Sequence, residues 1–485
     1  MDEEDLSVTN AMGRVYSSAS HAFEVQARDI DDDEDDEDEV DYKEDGDAID
    51  RGLFSKKFRN DHLKKILLRF LIVSLILACV CISVCSIYWG ATYKTSKFYH
   101  KINIVAVIED DNITMSQNDI HSYTSLNANL PGIIENSAKG TWHMYNTSQF
   151  MQRYNLTSTQ EISPRLLKLI YDEDYWFALH AKPNVTERII ASLSSSNSSL
   201  QFQSQKFYDI IYESARDGSS LKSQMLIVMT DLFTTFQTFY TDQYLPSLIQ
   251  NLTINGDGRL QVHSSMNWAT VGNFAANYID YRPFYDRNLL APLQVGLIFS
   301  LILTVFQLSL FGALHAEIAR YLGLKHTILY RLVMSWTTYL FLSLYFCTIS
   351  AIFQIDFTLA FGKAGFIVYW MTMWLVMTAV GGANENVLNI LVAGYPEFLS
   401  LWLMSWIILN ISPSFYPMVL TSNFYRYGYM MPLYNAVALF KVIFLDVSKR
   451  NMGRNYGVLI AWIVLNSVLL PITIKLGEYF RKKRA

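Results

Sequence analysis

The chain has 485 residues, of which 51% are hydrophobic and 14% aromatic but only 17% charged. A soluble domain carries roughly 25% charged residues, so an ordinary soluble globular chain is excluded and membrane segments are expected. The net charge of −6 hides a strong asymmetry, because residues 1–50 hold 20 acids and 3 bases, a net of −17, and leave +11 on the remainder.

Residues 1–50 end in Asp29–Asp50, with 15 acids and one base. Such a block repels itself and has nothing to bury, so a disordered acidic cytosolic tail is expected. It serves either as a docking tail or simply as a solvating one. The sign then reverses over 51–69, a basic juxtamembrane segment holding Arg51, Lys56, Lys57, Arg59, Lys64, Lys65 and Arg69. Phe70–Trp89 is an uncharged apolar run of 20 residues, long enough to cross a bilayer. Bases on its N-terminal side place residues 1–69 in the cytosol by the positive-inside rule. A cleaved signal peptide would start near residue 1, not after 69 residues.

Residues 90–291 form a polar region long enough for a compact domain. It contains six N-x-S/T sequons, at Asn112, Asn146, Asn155, Asn184, Asn197 and Asn251, and the first 89 residues contain none. Their confinement agrees with the charge rule, so this region is expected to be lumenal or extracellular and glycosylated. A further sequon, Asn410, closes an apolar run. The region is expected to be α+β. Ile102–Ile108 is a β-branched run stopped by Glu109-Asp110-Asp111, Trp176–His180 is a second candidate strand, and Ser219–Leu248 has the three- and four-residue apolar spacing of a long amphipathic helix.

The C-terminal third is expected to supply five more spans, at 292–314, 332–353, 366–382, 398–420 and 457–474, before a basic cytosolic tail at 476–485. Six spans put the N-terminal bases, the bases of the loop 315–331 (Arg320, Lys325, Arg331) and the tail bases on the cytosolic side. The apolar run 432–445 is too short to cross and is expected to be an outer re-entrant or interfacial helix opened by Pro432. Pro413 and Pro417 each remove a backbone donor and should bend or end the fifth span. The flank Lys449, Arg450 and Arg454 runs against the charge rule.

Several stretches look like the fungal nitrosoguanidine-resistance protein family: INIVAVIEDD, YDEDYWFALHAKPNVTERII, IIYESARDG and PLQVGLIFSLILTVFQLSLF. The layout is similar too, with one span, a large outer domain and five further spans. The terminal region also resembles the type-two permease fold of ABC exporters and their phage-infection-protein relatives. There a proline-bearing span end, here Ser412–Pro417, leads into a short outer helix, here opened by Met431-Pro432-Leu433-Tyr434-Asn435-Ala436. The resemblance covers roughly residues 65–475 and implies a permease-like membrane protein associated with drug or mutagen resistance, without a defined reaction.

The chain holds no G-x-x-x-x-G-K-[ST], so an ATP-driven pump would need a separate ATPase partner. It also lacks H-E-x-x-H and G-x-S-x-G, and the histidines of the polar region, His121, His143, His180 and His263, are scattered. Cys79, Cys81, Cys85 and Cys347 all sit in apolar runs, which excludes a disulfide framework for the polar region and gives no C-x-x-C metal spacing. An enzyme, a cofactor, a metal and a nucleic-acid partner are therefore not expected. The expected partners are the lipid bilayer and either a second copy of the chain or a separate membrane or ATPase subunit. Candidate transport or partner residues are Asn384, Glu385, Asn386 and Asn389, which either act at membrane depth or lie where the fourth span has already reached the headgroups. Lys441, the single charge of the run 432–445, either attracts an anionic lipid or substrate or snorkels outward. Gln294 and Gln307 are expected to pack between helices. Export or movement of lipids and amphiphiles, and a non-transporting regulator or scaffold, are the two readings these features leave open.

Overall fold

The computed structural model describes residues 63–109, 124–194, 201–254 and 265–484. The acidic tail 1–50, most of the basic segment 51–69, the sequons Asn112 and Asn197, and His121 and His263 lie outside the described residues. The chain divides into two units, Met1–Cys79 with Leu308–Thr327, and Val80–Gln307 with Ile328–Ala485. In the first, the helix Leu63–Val80 carries the start of the first apolar run, and Gly312–Tyr321 is a short helix of its own after a break at Phe311. The segment expected as one helix over 292–314 is therefore interrupted. Gly312, a poor helix former, stands directly after the break.

In the second unit the domain between the first two spans, called the outer domain after the side expected for it, is built on a five-stranded sheet in the order β2-β1-β3-β4-β5. The strands are β1 (Asn103–Ile108), β2 (Thr141–Asn146), β3 (Phe177–Ala181), β4 (Tyr208–Tyr212) and β5 (Asn277–Asp280). β1 runs parallel to both β2 and β3, β4 is parallel to β5, and only β3 and β4 are antiparallel. Alternate side chains of β1 serve opposite faces. Ile104 and Ala106 enter a core with Phe177, Leu179, Ile210 and the helix Ile227–Phe239. Val105 and Val107 enter a second core with Phe150, Leu166 and Ile170. Burial on both faces explains why this strand reads as a continuous apolar run. Helices alternate with strands and cover both faces, so the domain is better described as α/β with a mixed sheet than as α+β. The difference was hidden because β2, β4 and β5 are short and mix polar with aromatic residues.

The segment expected as one helix over 219–248 is helical from Leu221 to Ile254 but contains two wide turns, Leu221–Met225 and Tyr240–Tyr244. The second accommodates Pro246, whose missing N–H falls in the first turn of Leu245–Ile254. It also aims Tyr240 and Tyr244 inward, where their hydroxyls donate to Val271 O (2.8 Å) and Thr124 O (2.9 Å).

Five helices among the described residues are long and apolar enough to cross a membrane: Lys65–Gly90, Arg287–Leu310, Leu324–Ile352, Thr358–Gly394 and Met452–Lys483. A sixth crossing arises only if the bent pair Asn423–Met430 and Pro432–Leu445 counts as one span. The protein is thus a multi-span α-helical membrane protein with a sheet-bearing domain between its first two spans. Three expected boundaries change. The helix expected to end at 382 runs from Gly365 to Gly394. The one expected over 398–420 is a short helix, Leu399–Ile411, stopped ahead of Pro413. The last one runs from Met452 to Arg484, through the bases of the tail. Arg331, expected in a loop, lies inside Leu324–Ile352.

The helix Pro432–Leu445 is the centre of the half of this membrane domain that adjoins the sheet-bearing domain. Leu433, Ala436, Leu439, Phe440, Ile443 and Phe444 are all fully buried, against Tyr369, Met373 and Leu293 among others. Its entry is fixed by Asn410, whose Oδ1 accepts from Leu433 N (3.4 Å) and whose Nδ2 donates to Trp406 O (2.9 Å). That satisfies one of the amides a helix start leaves open. The chain bends by 76° at Met431, where Asn435 Nδ2 takes up Tyr429 O and Met431 O, and Trp462 Nε1 takes up Met430 O.

Candidate functional site

Two polar assemblies stand out. The first is inside the helix bundle. Glu385 and Asn389 lie one turn apart on one helix and face Arg331 and Ser335, one turn apart on another. Arg331 Nη2 is 2.7 Å from Glu385 Oε1 and its Nε donates to the same oxygen at 2.9 Å. Ser335 Oγ donates to Oε2 at 2.9 Å, and Arg331 Nη2 reaches Asn389 Oδ1 at 3.2 Å. Asn386 Nδ2 donates to Asn466 O (3.0 Å) and its Oδ1 accepts from Thr473 Oγ1 (2.9 Å). Asn384 Nδ2 donates to Thr304 Oγ1 (3.0 Å) and its Oδ1 accepts from Trp402 Nε1 (3.1 Å). Asn384, Glu385 and Asn386 are 0%, 4% and 5% exposed, so they are enclosed by the helices around them. Asn466 lies about 21 Å along its helix from Met452 at 1.5 Å per residue, well inside a bilayer-spanning length.

This assembly is charge-neutral and hydrogen-bonded, the form in which buried polar groups are tolerated between apolar helices. Small residues allow it. A Cβ at Gly381 would collide with the Tyr339 hydroxyl, and one at Gly382 would meet Asn466 Cβ at 2.9 Å. Beside it is a cavity of about 20 Å³ lined by Ser335, Tyr339, Glu385, Asn386 and Asn466. That is room for one water molecule and no more. Among the described residues Tyr339 Oη and both amide atoms of Gln307 are buried without a hydrogen-bond partner. The cluster is built to hold helices together and cannot admit an amphiphile.

The second assembly is a chamber of about 630 Å³ between the outer domain and the segment that follows the short helix Leu399–Ile411. Its size falls in the range of small-molecule sites. Tyr434, Val437, Ala438 and Lys441, at helical spacing, present one face of Pro432–Leu445 to it. The opposite face is the buried one described above. Ser414, Tyr416, Pro417 and Met418 line it from the segment after the break, and Arg426 and Tyr429 from the short helix Asn423–Met430. Asn451, Arg454 and Asn455 close it from the start of the last helix. The outer domain contributes Lys101, Glu173, Trp176, Arg216 and Asp217.

Arg216 is held firmly. Its Nη1 donates to Tyr175 O (2.7 Å), its Nη2 to Glu173 O (3.2 Å), and the guanidinium lies 3.7 Å from the Trp176 ring centre. Lys441 Nζ donates to Arg216 O at 2.8 Å, so it points into the junction and does not snorkel away. Lys101 Nζ donates to Thr421 O at 2.9 Å. Burial, and then the nearby Arg426 charge, pull the Lys101 ammonium below its usual range. Behind this wall the Glu213 carboxylate is 0% exposed, has no hydrogen-bond partner on either oxygen among the described residues, and is pushed up to about 8 by burial.

The junction around the chamber is closed by ion pairs. Arg282 Nη2 meets Asp446 Oδ2 (2.9 Å), Lys449 Nζ meets Asp446 Oδ1 (3.3 Å), and Arg450 Nη1 meets Asp174 Oδ1 (2.9 Å). Lys101 and Arg450 therefore tie both ends of the segment 421–450 to the same outer domain.

Of the described sequons, Asn155, Asn184 and Asn251 are exposed and Asn146 is half-buried. Asn146 Oδ1 caps the helix Thr147–Tyr154 through Gln149 N (2.8 Å). His180 pairs with Glu109 at 2.7 Å in the domain interior, away from His143 on β2. No group of three or more metal-ligating side chains is present among the described residues. Sequence reasoning found Lys441 and the four residues at 384–389, but missed the partners Arg331, Thr304, Asn466 and Thr473. It also missed the chamber cations Lys101, Arg216, Arg426 and Arg454, which come from four separate segments. The only available signal was the misplaced basic flank 449–454.

Residues 73–468 match the family described as "Protein of unknown function (DUF3533)". The chain is 42% identical over 421 residues, 87% of its length, to an "uncharacterized endoplasmic reticulum membrane protein" of Saccharomyces cerevisiae, of which 81% is covered. No solved structure matches. The chain belongs to this family of multi-span membrane proteins.

Proposed function

For this member of a family without an assigned activity, we propose a permease-like protein that takes up amphiphilic molecules, lipids or hydrophobic toxicants, in the chamber beneath its outer domain. The chamber itself carries the reading, a space of about 630 Å³ with polar walls, next to the helix Pro432–Leu445. In this reading the segment 410–446 is an outer cap. Thr421 and Arg450, on either side of the bent pair, both touch the domain, which supports re-entry of that pair over its crossing the membrane. The domain faces the lumen or exterior, carries glycans on its sequons, and the protein resides in the endoplasmic reticulum or plasma membrane. The likeness to a yeast endoplasmic reticulum membrane protein favours the former. The likeness to nitrosoguanidine-resistance proteins and to exporter permeases supports a role in drug or mutagen resistance without enzymatic turnover.

The test is reconstitution of the full-length protein in proteoliposomes with labelled lipids and amphiphilic drugs. Protein-dependent movement that is lost when Tyr434 or Ala438 is replaced by Trp, filling the chamber, supports the reading. Intact protein that neither binds nor moves any amphiphile overturns it. A second reading, a membrane regulator that transports nothing, is favoured by the missing ATP-binding loop and by the ion pairs that fasten the domain over the chamber. Binding without movement, with another transporter's activity changed on deletion, would select it.

A further inference from the structure

We propose that the molecule taken into the chamber is an anionic amphiphile with a phosphate-type head group. This rests on the amphiphile reading above and names the ligand's chemistry.

Charge is the first argument. Five cations line the chamber, Lys101, Arg216, Arg426, Lys441 and Arg454, against two carboxylates, Glu173 and Asp217, a formal net of +3. None of the five is in an ion pair with a carboxylate among the described residues. Asp217 is already engaged, accepting from Ser220 N (2.7 Å) and Ser219 Oγ (3.1 Å). The contrast with the rim is the second argument. Arg282, Lys449 and Arg450, on the same junction but not lining the chamber, are each matched to an aspartate. Acids are thus available locally and are spent on fastening the domain, while the chamber cations make no ion pair among the described residues, although Glu173, Glu213 and Asp174 act on Arg216 from a distance. Lys101 feels this, since the Arg426 charge opposes its protonated form. A bound anion would relieve that repulsion.

The geometry suits a tetrahedral oxyanion. The cations approach from the outer domain, from Asn423–Met430, from the helix Pro432–Leu445 and from the last helix. Guanidinium forks grip phosphate oxygens through paired, charge-assisted N–H donors. An apolar tail is accommodated as well. Val437, Ala438 and Val442 line the same space from the outer helix, and Met418 and Val419 from the segment below. A phosphate-bearing head with hydrocarbon attached therefore matches both halves of the lining.

The experiment uses full-length protein purified in an uncharged maltoside detergent, with binding read by native mass spectrometry and by thermal shift. The probes are short-chain phosphatidic acid, the matching diacylglycerol, and inorganic phosphate. Phosphatidic acid is expected to bind at least tenfold more tightly than either of the others. The R426Q/R454Q variant, altered at two exposed side chains, is expected to weaken it ten- to a hundredfold, while K449Q, outside the chamber, leaves it unchanged. Equal binding of diacylglycerol, unaffected by R426Q/R454Q, overturns the anionic head group but leaves the amphiphile reading standing. Equal binding of inorganic phosphate overturns the requirement for a tail. No binding of any probe by folded protein overturns the chamber reading itself.

Discussion

Glu213 offers a pH signature that can be worked out from its surroundings. Its carboxylate follows β4, is fully buried and lacks a hydrogen-bond partner among the described residues, and burial outweighs the pull of Arg216 and Arg282 to push it up to about 8. A free glutamate titrates near 4.5. Between those two values the folded chain holds a proton that the unfolded chain has lost. Stability therefore falls as pH rises through that window, and the full cost is reached above about pH 8. One proton corresponds to at most about 1.4 kcal/mol per pH unit, and to roughly 5 kcal/mol across the whole window. For a domain of this size, 1 kcal/mol moves Tm by about 2–4 °C, so wild type should lose about 3–5 °C per pH unit from this group. Glu213→Gln keeps the shape and removes the titration. Thermal unfolding of full-length protein in detergent, scanned from pH 5 to pH 8, should give a wild-type-minus-variant difference that steepens in that sense. Parallel Tm profiles for the two proteins would refute the argument.

Four further outcomes are expected. Glu385→Ala leaves Arg331 charged and buried, and should destabilise the helix bundle by about 3–5 kcal/mol, whereas the double variant Glu385→Leu with Arg331→Met recovers most of it, read by thermal unfolding in detergent. Gly381→Leu should disrupt folding, because the Tyr339 hydroxyl occupies the space a side chain needs, and Tyr339→Phe alone should be tolerated. Asn184→Gln should remove one glycan in a eukaryotic host with no loss of stability, while Thr186→Ala should remove the same glycan and cost about 1 kcal/mol more, since Thr186 Oγ1 accepts from Leu126 N at 2.9 Å. Arg450→Cys should react with an impermeant thiol reagent from the outer side of intact cells or sealed lumen-out vesicles, and reaction only after permeabilisation would make the bent pair Asn423–Met430 and Pro432–Leu445 a crossing.

Much of the layout is legible because it follows from single, local properties. Twenty uncharged apolar residues at Phe70–Trp89 need no tertiary context to be read as a span. The run 432–445 is bounded by Pro432 and by Asp446, which takes a left-handed conformation with φ of 50°, and the helix occupies those residues. The errors have a common cause. Asn384, Glu385, Asn386 and Asn389 look like the end of a span because hydropathy falls there. The helix continues to Gly394 because Arg331, Ser335, Thr304, Asn466 and Thr473 supply partners from three other helices. A partner 80 residues away leaves no mark on local composition. The chamber was illegible for the same reason, since Lys101 and Arg454 become neighbours of one cavity only after the domain is laid over the outer helix.

The bases of the flank 449–454 then acquire a physical explanation. Positive residues are disfavoured on the translocated side during insertion, so on the topology proposed above these bases call for a compensating use in the folded protein. Arg450 has one, because it binds Asp174 and so joins the last loop to the outer domain, and Lys449 pairs within the loop with Asp446, which Arg282 of the domain also holds. Arg454 does not fasten anything. Its guanidinium lies 5.4 Å from the Tyr429 ring centre and donates to Asn455 Oδ1 at 3.3 Å, within the chamber lining. If the flank served the junction alone, a carboxylate would be expected opposite Arg454 as it is opposite the other two. Its absence there, alongside the unmatched Arg426 and Lys441, separates the bases into those that hold the cap shut and those left available to a ligand. Charge reversal should separate them too: Arg450→Glu should loosen the domain without altering the chamber's charge, and Arg454→Glu should lower anion binding while the junction stays closed.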